Sequence, residues 1–415
     1  MSDRALVEDY HGATARDRQF ADPILFWDET LRDGEQMPGL HFSAEEKLRI
    51  AEQLSDIGVA VINAGIPVIS EQEASAVRRV GEAGLKAKVL GAARTVPADI
   101  DAVIATGVSH IAVFVAASEV HLRYKLGMTQ DQVLDAAVAS VRRAKQAGLH
   151  VAFVTEDTVR APLDFVERLY TAVVEEGADR IVVSDTVGIM TPLTFRWWLG
   201  EFKRRVRPTD WSVHCHNDFG LAVANTLTAL EMGVTCPQTC VNGLGERAGN
   251  ASFEEVAVAL ESLYGVKTGL ATDRIYALSR TVEEASGVPL PPNKALVGYN
   301  SFSHEAGIHT HGILKHTLTY EPLQPERVGR RRQMILGKHT GRAALLEKLK
   351  ERRATPADPV VAELLRRGKA RSEAGGKDRL VRLLREYRDV FERPGLTDEE
   401  FWKMVDELGI ALEAP

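Results

Sequence analysis

The sequence predicts an α/β protein: a (β/α)8 barrel followed by a small, mainly helical C-terminal region. A short apolar run rich in Val, Ile and Ala recurs about every 30 residues, and a longer amphipathic segment follows it. The repeated units fill residues 24–266, which fits a closed barrel better than an open doubly wound sheet. No Gly-x-Gly-x-x-Gly opens the first helical segment, which weakens a dinucleotide-binding version of the open sheet.

The predicted strands alternate with helices along the whole of this region. Most of the strands are rich in β-branched residues and are bounded by turn residues. Ser43 and Glu46 form a capping-box pattern at the start of the first helix. The predicted strands span 24–28, 60–64, 87–92, 110–115, 150–155, 180–184, 211–216 and 235–241, and the predicted helices include 43–57, 70–83, 162–176, 192–206, 220–232 and 252–264.

The chain is predicted to have four regions. Residues 1–23 form an N-terminal extension, and residues 24–266 form the catalytic barrel. Residues 267–345 combine a proline-marked linker with a polar, His-rich subdomain. Residues 346–415 alternate charged and apolar positions at helical spacing and are predicted to be a helical C-terminal region.

Composition excludes several classes of protein. The formal net charge of the 415 residues is −7, without a long block of either sign, so nucleic-acid binding has no electrostatic support. Three cysteines are too few for a disulfide framework and fit a reducing compartment. No apolar run has the length of a signal peptide or a membrane span. We therefore expect a cytoplasmic enzyme with neither a membrane nor a nucleic-acid partner.

Polar residues gather where the predicted strands end, which is where barrel enzymes build their active sites. The seventh strand ends in His214-Cys215-His216, and alternate residues on a strand face the same way. His214 and His216 can therefore face one ion, with Cys215 turned toward the helices, and this pattern favours a metal site over two packed core histidines. The first strand leads into residues 28–36, with four acids and one arginine, which taken alone fit a solvated loop or a cation-binding loop equally.

Further polar groups follow other strands. Glu246 and Asn250 lie in the glycine-rich segment after the eighth strand, and they add oxygen donors beside the histidine pair. Glu156 ends the fifth strand and Thr186 follows the sixth. Arg94 follows the third strand, where a substrate contact and a surface arginine are equally good interpretations.

Four of these segments, in this order, resemble those of a known family. Residues 31–36, 214–218, 242–250 and 303–309 are similar to motifs of the homocitrate, isopropylmalate and citramalate synthases. These enzymes belong to a wider superfamily of metal-dependent (β/α)8 lyases. The resemblance covers about residues 24 to 345 and is strongest with the short homocitrate synthases.

The resemblance implies a role for each matching residue. The ligands of a divalent metal, Mg2+, Mn2+ or Zn2+, would be Asp33, His214 and His216, with Asn250 as a further or nearby ligand. Arg32 would polarise the keto group, while Gln36, Glu156 and Thr186 would orient the 2-oxo acid. His309 resembles the family's catalytic histidine, and Tyr320 lies where the family has a tyrosine that assists the chemistry. In the family this last segment reaches into the partner subunit's barrel, which implies a homodimer with shared active sites.

The implied reaction condenses acetyl-CoA, the co-substrate, with a 2-oxo acid and then hydrolyses the CoA thioester. A 2-oxo acid can chelate a cation that has Asp and two His ligands and open positions. The cation and Arg32 would neutralise the alkoxide that forms when the carbanion attacks the keto group. A positioned base must remove the proton from the thioester methyl group, which is a weak carbon acid.

The sequence indicates the reaction more directly than the side chain of the 2-oxo acid. The family normally has a glutamate where this chain has Asn63, which indicates either an altered pocket charge or a tolerated polar exchange. Arg160 is the nearest candidate partner for a second carboxylate on the substrate. We therefore expect a dianionic acid, first 2-oxoglutarate and then oxaloacetate or phosphonopyruvate, as in a homocitrate synthase.

Several alternatives stay open. The chain could instead be a 2-phosphonomethylmalate, isopropylmalate or citramalate synthase. It could also be a metal-dependent lyase or aldolase, although the segment with Gly307, Ile308 and His309 favours the condensing enzymes. A non-catalytic regulatory relative is disfavoured because Arg32, Asp33 and His309 occur together with the histidine pair.

Overall fold

The computed structural model describes residues 6–206, 210–375, 377–391 and 397–408. The chain forms two compact units. The first comprises the described parts of 1–37, 41–298 and 326–330, and the second those of 38–40, 299–325 and 331–415. The four regions predicted from the sequence divide the chain differently and stay a prediction.

A closed barrel of eight parallel strands forms the core of the first unit within the described residues, which confirms the predicted fold class. Each strand pairs with the next one along the chain, and β8 closes the barrel against β1. All eight predicted strands are present, and the first is much shorter than predicted. The strands are β1 (Trp27–Asp28), β2 (Val61–Asn63), β3 (Lys88–Arg94), β4 (His110–Ala116), β5 (His150–Glu156), β6 (Arg180–Asp185), β7 (Trp211–Cys215) and β8 (Cys236–Thr239).

Helices connect consecutive strands, as parallel strands require. Ser43 caps the first helix, where its side chain and that of Glu46 form the predicted capping box. Of the helices in the described part of the chain, none combines the length and apolar content needed to cross a bilayer. The helices of the first unit are α1 (Ala44–Ile57), α2 (Glu71–Glu82), α3 (Pro97–Thr106), α4 (Glu119–His121), α5 (Gln130–Gln146), α6 (Leu163–Glu175), α7 (Pro192–Val206), α8 (Ala222–Glu231), α9 (Phe253–Leu263) and α10 (Ile275–Ser286).

A thin apolar layer crosses the middle of the barrel. Ala92, Ala112 and Ala152 lie side by side on β3, β4 and β5, because the strand register pairs each with the next. Trp27, Leu90, Val182 and Cys236 complete this alanine layer. On its amino-terminal side lies a cavity of about 360 Å³, where the walls include Lys88, His110 and His150 at the starts of their strands.

The second unit is mainly helical, as predicted for the C-terminal part of the chain. A small parallel pair, β9 (Ser303–His304) and β10 (Gln333–Met334), lies within it. Its helices are α11 (Gly307–Lys315), α12 (Arg342–Lys350), α13 (Asp358–Gly375), α14 (Lys377–Phe391) and α15 (Asp398–Glu407).

Candidate active site

Asp33, His214 and His216 converge at the carboxyl end of the barrel. Asp33 follows β1, and the two histidines lie at the end of β7. The Nε2 atoms of the histidines are 3.1 Å apart, and Asp33 Oδ2 lies 3.0 Å from that of His214 and 3.7 Å from that of His216. One ligand atom from each of the three buried residues therefore lies within 4.8 Å of the others, so they form a candidate metal site.

Buried polar atoms without partners support a bound cation at this place. Asp33 Oδ1 and Asn250 Oδ1 are buried and have no hydrogen-bond partner. Asn250 pairs with His216 through a backbone bridge, and its Nδ2 donates to the carbonyl of Leu244, which leaves the amide oxygen available. Buried polar atoms are normally satisfied, so the donor set of this site fits a divalent cation.

The protonation states of the site also suit a cation. Burial of the Asp33 carboxyl opposes ionisation, but Arg32, His214 and His216 outweigh burial and hold its pKa well below the ordinary value. Burial, with His214 beside it, lowers the pKa of His216 to about 3. Asp33 is therefore ionised and His216 neutral at neutral pH, the forms in which both bind metals.

Arg32 is held beside the candidate metal site by two carboxylates. Its Nε donates to Glu29 Oε2 at 2.6 Å, and its Nη1 lies 3.3 Å from Asp33 Oδ2. The Nδ2 of Asn63 donates to both oxygens of the same Glu29, at 3.0 and 3.2 Å. A glutamate at position 63 would bring a second carboxylate against the buried Glu29, whereas the amide acts as a donor.

Lys47 supports the segment that carries Arg32 and Asp33. It lies on α1 and is fully buried. Its Nζ binds Glu35 at 2.6 Å and Glu73 at 2.8 Å, and it also donates to the carbonyls of Leu31 and Ala64. The ammonium group therefore joins the loop after β1 to the loop after β2.

A cavity of about 180 Å³ opens beside these residues. The predicted residues Gln36, Glu156 and Thr186 lie on its wall. Lys125 Nζ binds both oxygens of Glu156, at 2.7 and 2.9 Å, and Thr186 Oγ1 accepts from the backbone of Asp157. The lining consists of Glu29, Arg32, Asp33, Gln36, Asn63, Ile66, Ala92, Ala112, Phe114, Val154, Glu156, Ser184, Thr186, His214, His216, Glu246 and Arg247.

Arg94 and Arg160 are not among the residues that line this cavity. The guanidinium of Arg94 binds Asp99, with Nε 2.6 Å from Oδ2, and most of its side chain is exposed. The guanidinium Nε of Arg160 donates to both oxygens of the buried Asp157, at 2.7 and 2.9 Å. Both arginines therefore have carboxylate partners within the protein.

His309 and Tyr320 lie in the second unit. His309 is on α11, and its ring stacks on that of Tyr320 with centroids 4.0 Å apart. Both side chains are exposed. Nearby in the same unit, Glu321 accepts from His304 at 3.1 Å and from the Nε of Arg332 at 2.6 Å.

Three residues that shape the site were not singled out from the sequence. In the sequence, Glu29 is one acid of the segment 28–36, and no motif assigns a role to Lys47 or Arg247. Arg247 Nε binds Asp218 at 2.7 Å, and its Nη2 donates to the carbonyl of Thr186 at 2.6 Å. A signal for Lys47 existed, because it shares the apolar stripe of α1 with Ile50, Ala51 and Leu54.

Comparison with known proteins identifies the family. The model of the HMGL-like family matches residues 23–282, and one described as homocitrate synthase post-HMGL domain-like matches residues 296–375. Homocitrate synthase AksA of Methanopyrus kandleri is 45% identical over 390 residues, which are 94% of this chain and 98% of that protein. The chain belongs to the homocitrate and isopropylmalate synthase family.

Other relatives in this synthase family carry different names. The 2-isopropylmalate synthase of Methanocaldococcus jannaschii is 47% identical over 330 residues, which are 80% of this chain and 64% of that protein. Among solved structures, the HMG-CoA lyase of Bacillus subtilis aligns with a TM-score of 0.60 at 23% identity, over 66% of this chain and 96% of that one. That structure shares the fold, and the names of the relatives leave the 2-oxo acid open.

Proposed function

We propose that this member of the synthase family condenses acetyl-CoA with a 2-oxo acid and then hydrolyses the CoA thioester. The observation that carries the proposal is the cluster of Asp33, His214 and His216, with Arg32 held beside it, at the carboxyl end of the barrel. Relatives that align over most of the chain are named homocitrate and 2-isopropylmalate synthases. Because these relatives are named as synthases, we assign a condensation rather than a cleavage to the same residues.

Asp33, His214 and His216 would hold the divalent metal, with the amide oxygen of Asn250 as a further or nearby ligand. Two imidazoles suit Zn2+, and the oxygen donors suit Mg2+ and Mn2+, so all three ions fit the donor set. When bound, such an ion acts as a Lewis acid on the keto oxygen and carboxylate of the substrate.

The side chains around the cavity would bind and orient the 2-oxo acid. Arg32 presents a fixed positive charge, held by Glu29 and Asp33, to the oxygen of the keto group as it becomes an alkoxide. Gln36 and Thr186 would donate hydrogen bonds to the carboxylate, and Glu156 would accept a proton or a hydrogen bond from the substrate.

Enolisation of acetyl-CoA needs a base that removes a proton from the thioester methyl group. We assign this proton transfer to His309, with Tyr320 stacked on it, because a neutral imidazole is a suitable base near neutral pH. The new carbon–carbon bond then forms between the methyl carbon and the keto carbon. Water afterwards cleaves the thioester and releases CoA.

We further propose a cytoplasmic homodimer in which His309 and Tyr320 of one protomer complete the site of the other. Both side chains are exposed on their own protomer, which leaves them accessible to a second barrel. Free, buried cysteines at 215, 236 and 240 agree with a reducing compartment.

The assay is release of free CoA thiol from acetyl-CoA in the presence of a metal and each of several 2-oxo acids. We expect thiol release that depends on both the acid and the metal, with the matching 2-alkylmalate formed in equal amount. Thiol release in the absence of any 2-oxo acid would indicate simple thioester hydrolysis. Cleavage of an added acyl-CoA to acetyl-CoA and a carbonyl compound, with no condensation, would establish the lyase instead.

A further inference from the structure

We propose, on the basis of the function above, that the 2-oxo acid has a bulky apolar side chain, and that Ala92 and Ala112 set its size. This substrate differs from the dianionic acid that the sequence led us to expect. The inference rests on which charged groups reach the active-site cavity and on the composition of its inner wall.

The cations that line the cavity are already paired. Arg32 binds Glu29 and Asp33, and Arg247 binds Asp218 and the carbonyl of Thr186. Among the lysines and arginines of the described chain, these two line this cavity. A second carboxylate on the substrate would need its own partner, since a buried carboxylate without one is very costly.

Arg160, the candidate partner for a second carboxylate, is engaged elsewhere, as are Arg94 and Lys125. Arg160 donates from Nε to the buried Asp157, and Arg94 binds Asp99. Lys125 is bound to both oxygens of Glu156. None of these three is on the cavity wall as the structure describes it.

Besides the polar Asn63 and Ser184, the cavity has an apolar inner wall. Its residues Ala92, Ala112, Phe114 and Val154 come from the middle and upper parts of β3, β4 and β5, and Ile66 follows β2. Phe114 and Val154 are paired in register, as are Ala92 and Ala112 one layer deeper. The keto and carboxylate groups of a substrate bound at Arg32 would leave its side chain directed toward this wall.

The two alanines leave room for a large group. The cavity measures about 180 Å³, a volume that the side chain of the substrate shares with its keto and carboxylate groups. A dry apolar cavity of about 150 Å³ is enough to hold a benzene ring. Because an apolar wall gains about fourfold in binding for each methylene that it buries, a methyl side chain such as that of pyruvate would use little of this wall.

The test is a comparison of kcat/KM for phenylpyruvate, 4-methyl-2-oxopentanoate, 2-oxoisovalerate, pyruvate and 2-oxoglutarate with the wild-type holoenzyme. We expect the bulky apolar acids to exceed both pyruvate and 2-oxoglutarate by about tenfold or more. A preference for 2-oxoglutarate or pyruvate would overturn the inference while leaving the condensation in place. Absence of thiol release with every acid, including 2-oxoglutarate, would overturn the proposed function itself.

The role of the alanines in setting the size of the substrate is tested by larger side chains at position 112, which would fill part of the cavity. Ala112→Leu should lower kcat/KM for the two largest acids by about tenfold or more and change that for pyruvate by less than about threefold. Ala112→Val adds less volume and should show a smaller change in the same direction. Retained activity with pyruvate shows that the variants fold, and equal losses with all acids would contradict the assignment.

Ala152→Leu is the matched control. Ala152 lies in register with Ala112 but borders the cavity on the amino-terminal side of the alanine layer. The same added volume should therefore leave the relative kcat/KM values of the acids unchanged. A selectivity change equal to that of Ala112→Leu would show that the effect comes from general distortion of the barrel.

Discussion

Glu29 illustrates how single residues set the charge of the active site. Its carboxylate is 1% exposed, and it accepts from Arg32 and from the amide of Asn63. A buried carboxylate requires such partners, and here they also fix the direction of the guanidinium. Asn63 therefore preserves a position of Glu29 and Arg32 that a second acid would disturb.

At the same scale, the metal assignment predicts the behaviour of two substitutions. Asp33→Ala and His214→Ala should each weaken binding of Zn2+ or Mn2+ by about 100-fold or more, because each removes a direct ligand and the loss of outer-shell partners alone costs about 10- to 100-fold. Equilibrium dialysis with elemental analysis measures the affinity, and circular dichroism verifies the fold. His41→Ala, at an exposed histidine, should bind metal normally. Stoichiometric metal in His214→Ala would refute the assignment.

At the scale of elements, the loop after β1 depends on α1. The Nζ of Lys47 joins Glu35, which belongs to this loop, to Glu73 at the start of α2. A buried ion pair that loses one partner leaves the other charge uncompensated. The position of Arg32 and Asp33 therefore depends on a lysine in a helix that lies outside the cavity.

Lys47→Met should therefore lower the free energy of unfolding by about 3–5 kcal/mol. Urea denaturation followed by circular dichroism measures this change. Lys145→Met is the matched control, because Lys145 binds Asp179 at 2.8 Å on the surface, where an ion pair contributes about 0–1 kcal/mol. Equal losses in the two variants would show that Lys47 has no special structural role.

The elements also show which features a sequence can predict. The eight strands and the shared direction of His214 and His216 followed from the two-residue period of strands and from the meeting of strand ends in a barrel, whereas Asp33 was assigned from the resemblance to the family's motif. The pairing of Arg160 with Asp157 could not be predicted in this way, because Asp157 adopts a left-handed backbone with φ 58°. Long, flexible lysine and arginine side chains pair with carboxylates that only the tertiary structure brings within reach.

At the scale of the whole molecule, a shared active site has a testable consequence. Arg32→Ala and His309→Ala chains, each inactive alone, should regain activity when their subunits are exchanged. Half of the dimers in an equal mixture are mixed, and one of the two sites in each is intact, so about a quarter of the wild-type activity should return. Sedimentation analysis establishes the oligomeric state before mixing.

The control for this exchange combines His309→Ala with Tyr320→Ala chains. These residues lie in one segment, so every site of a mixed dimer lacks one of the two rings. No activity should return in this mixture. No recovery in the first mixture after verified exchange would show that each protomer uses its own segment. Equal recovery in both mixtures would show that the activity does not come from a shared His309 segment.

The alanine layer separates two cavities, one of which is the cavity of the candidate active site. Ala92 and Ala112 face the substrate side, whereas Leu90 and Ala152 border the cavity of about 360 Å³ at the other end of the barrel. Cavity-filling substitutions commonly add about 0.5–2 kcal/mol of stability, and here they can be made without entering the active site. Substitutions that raise stability on one side of the layer therefore occupy different positions from those that would change substrate preference on the other.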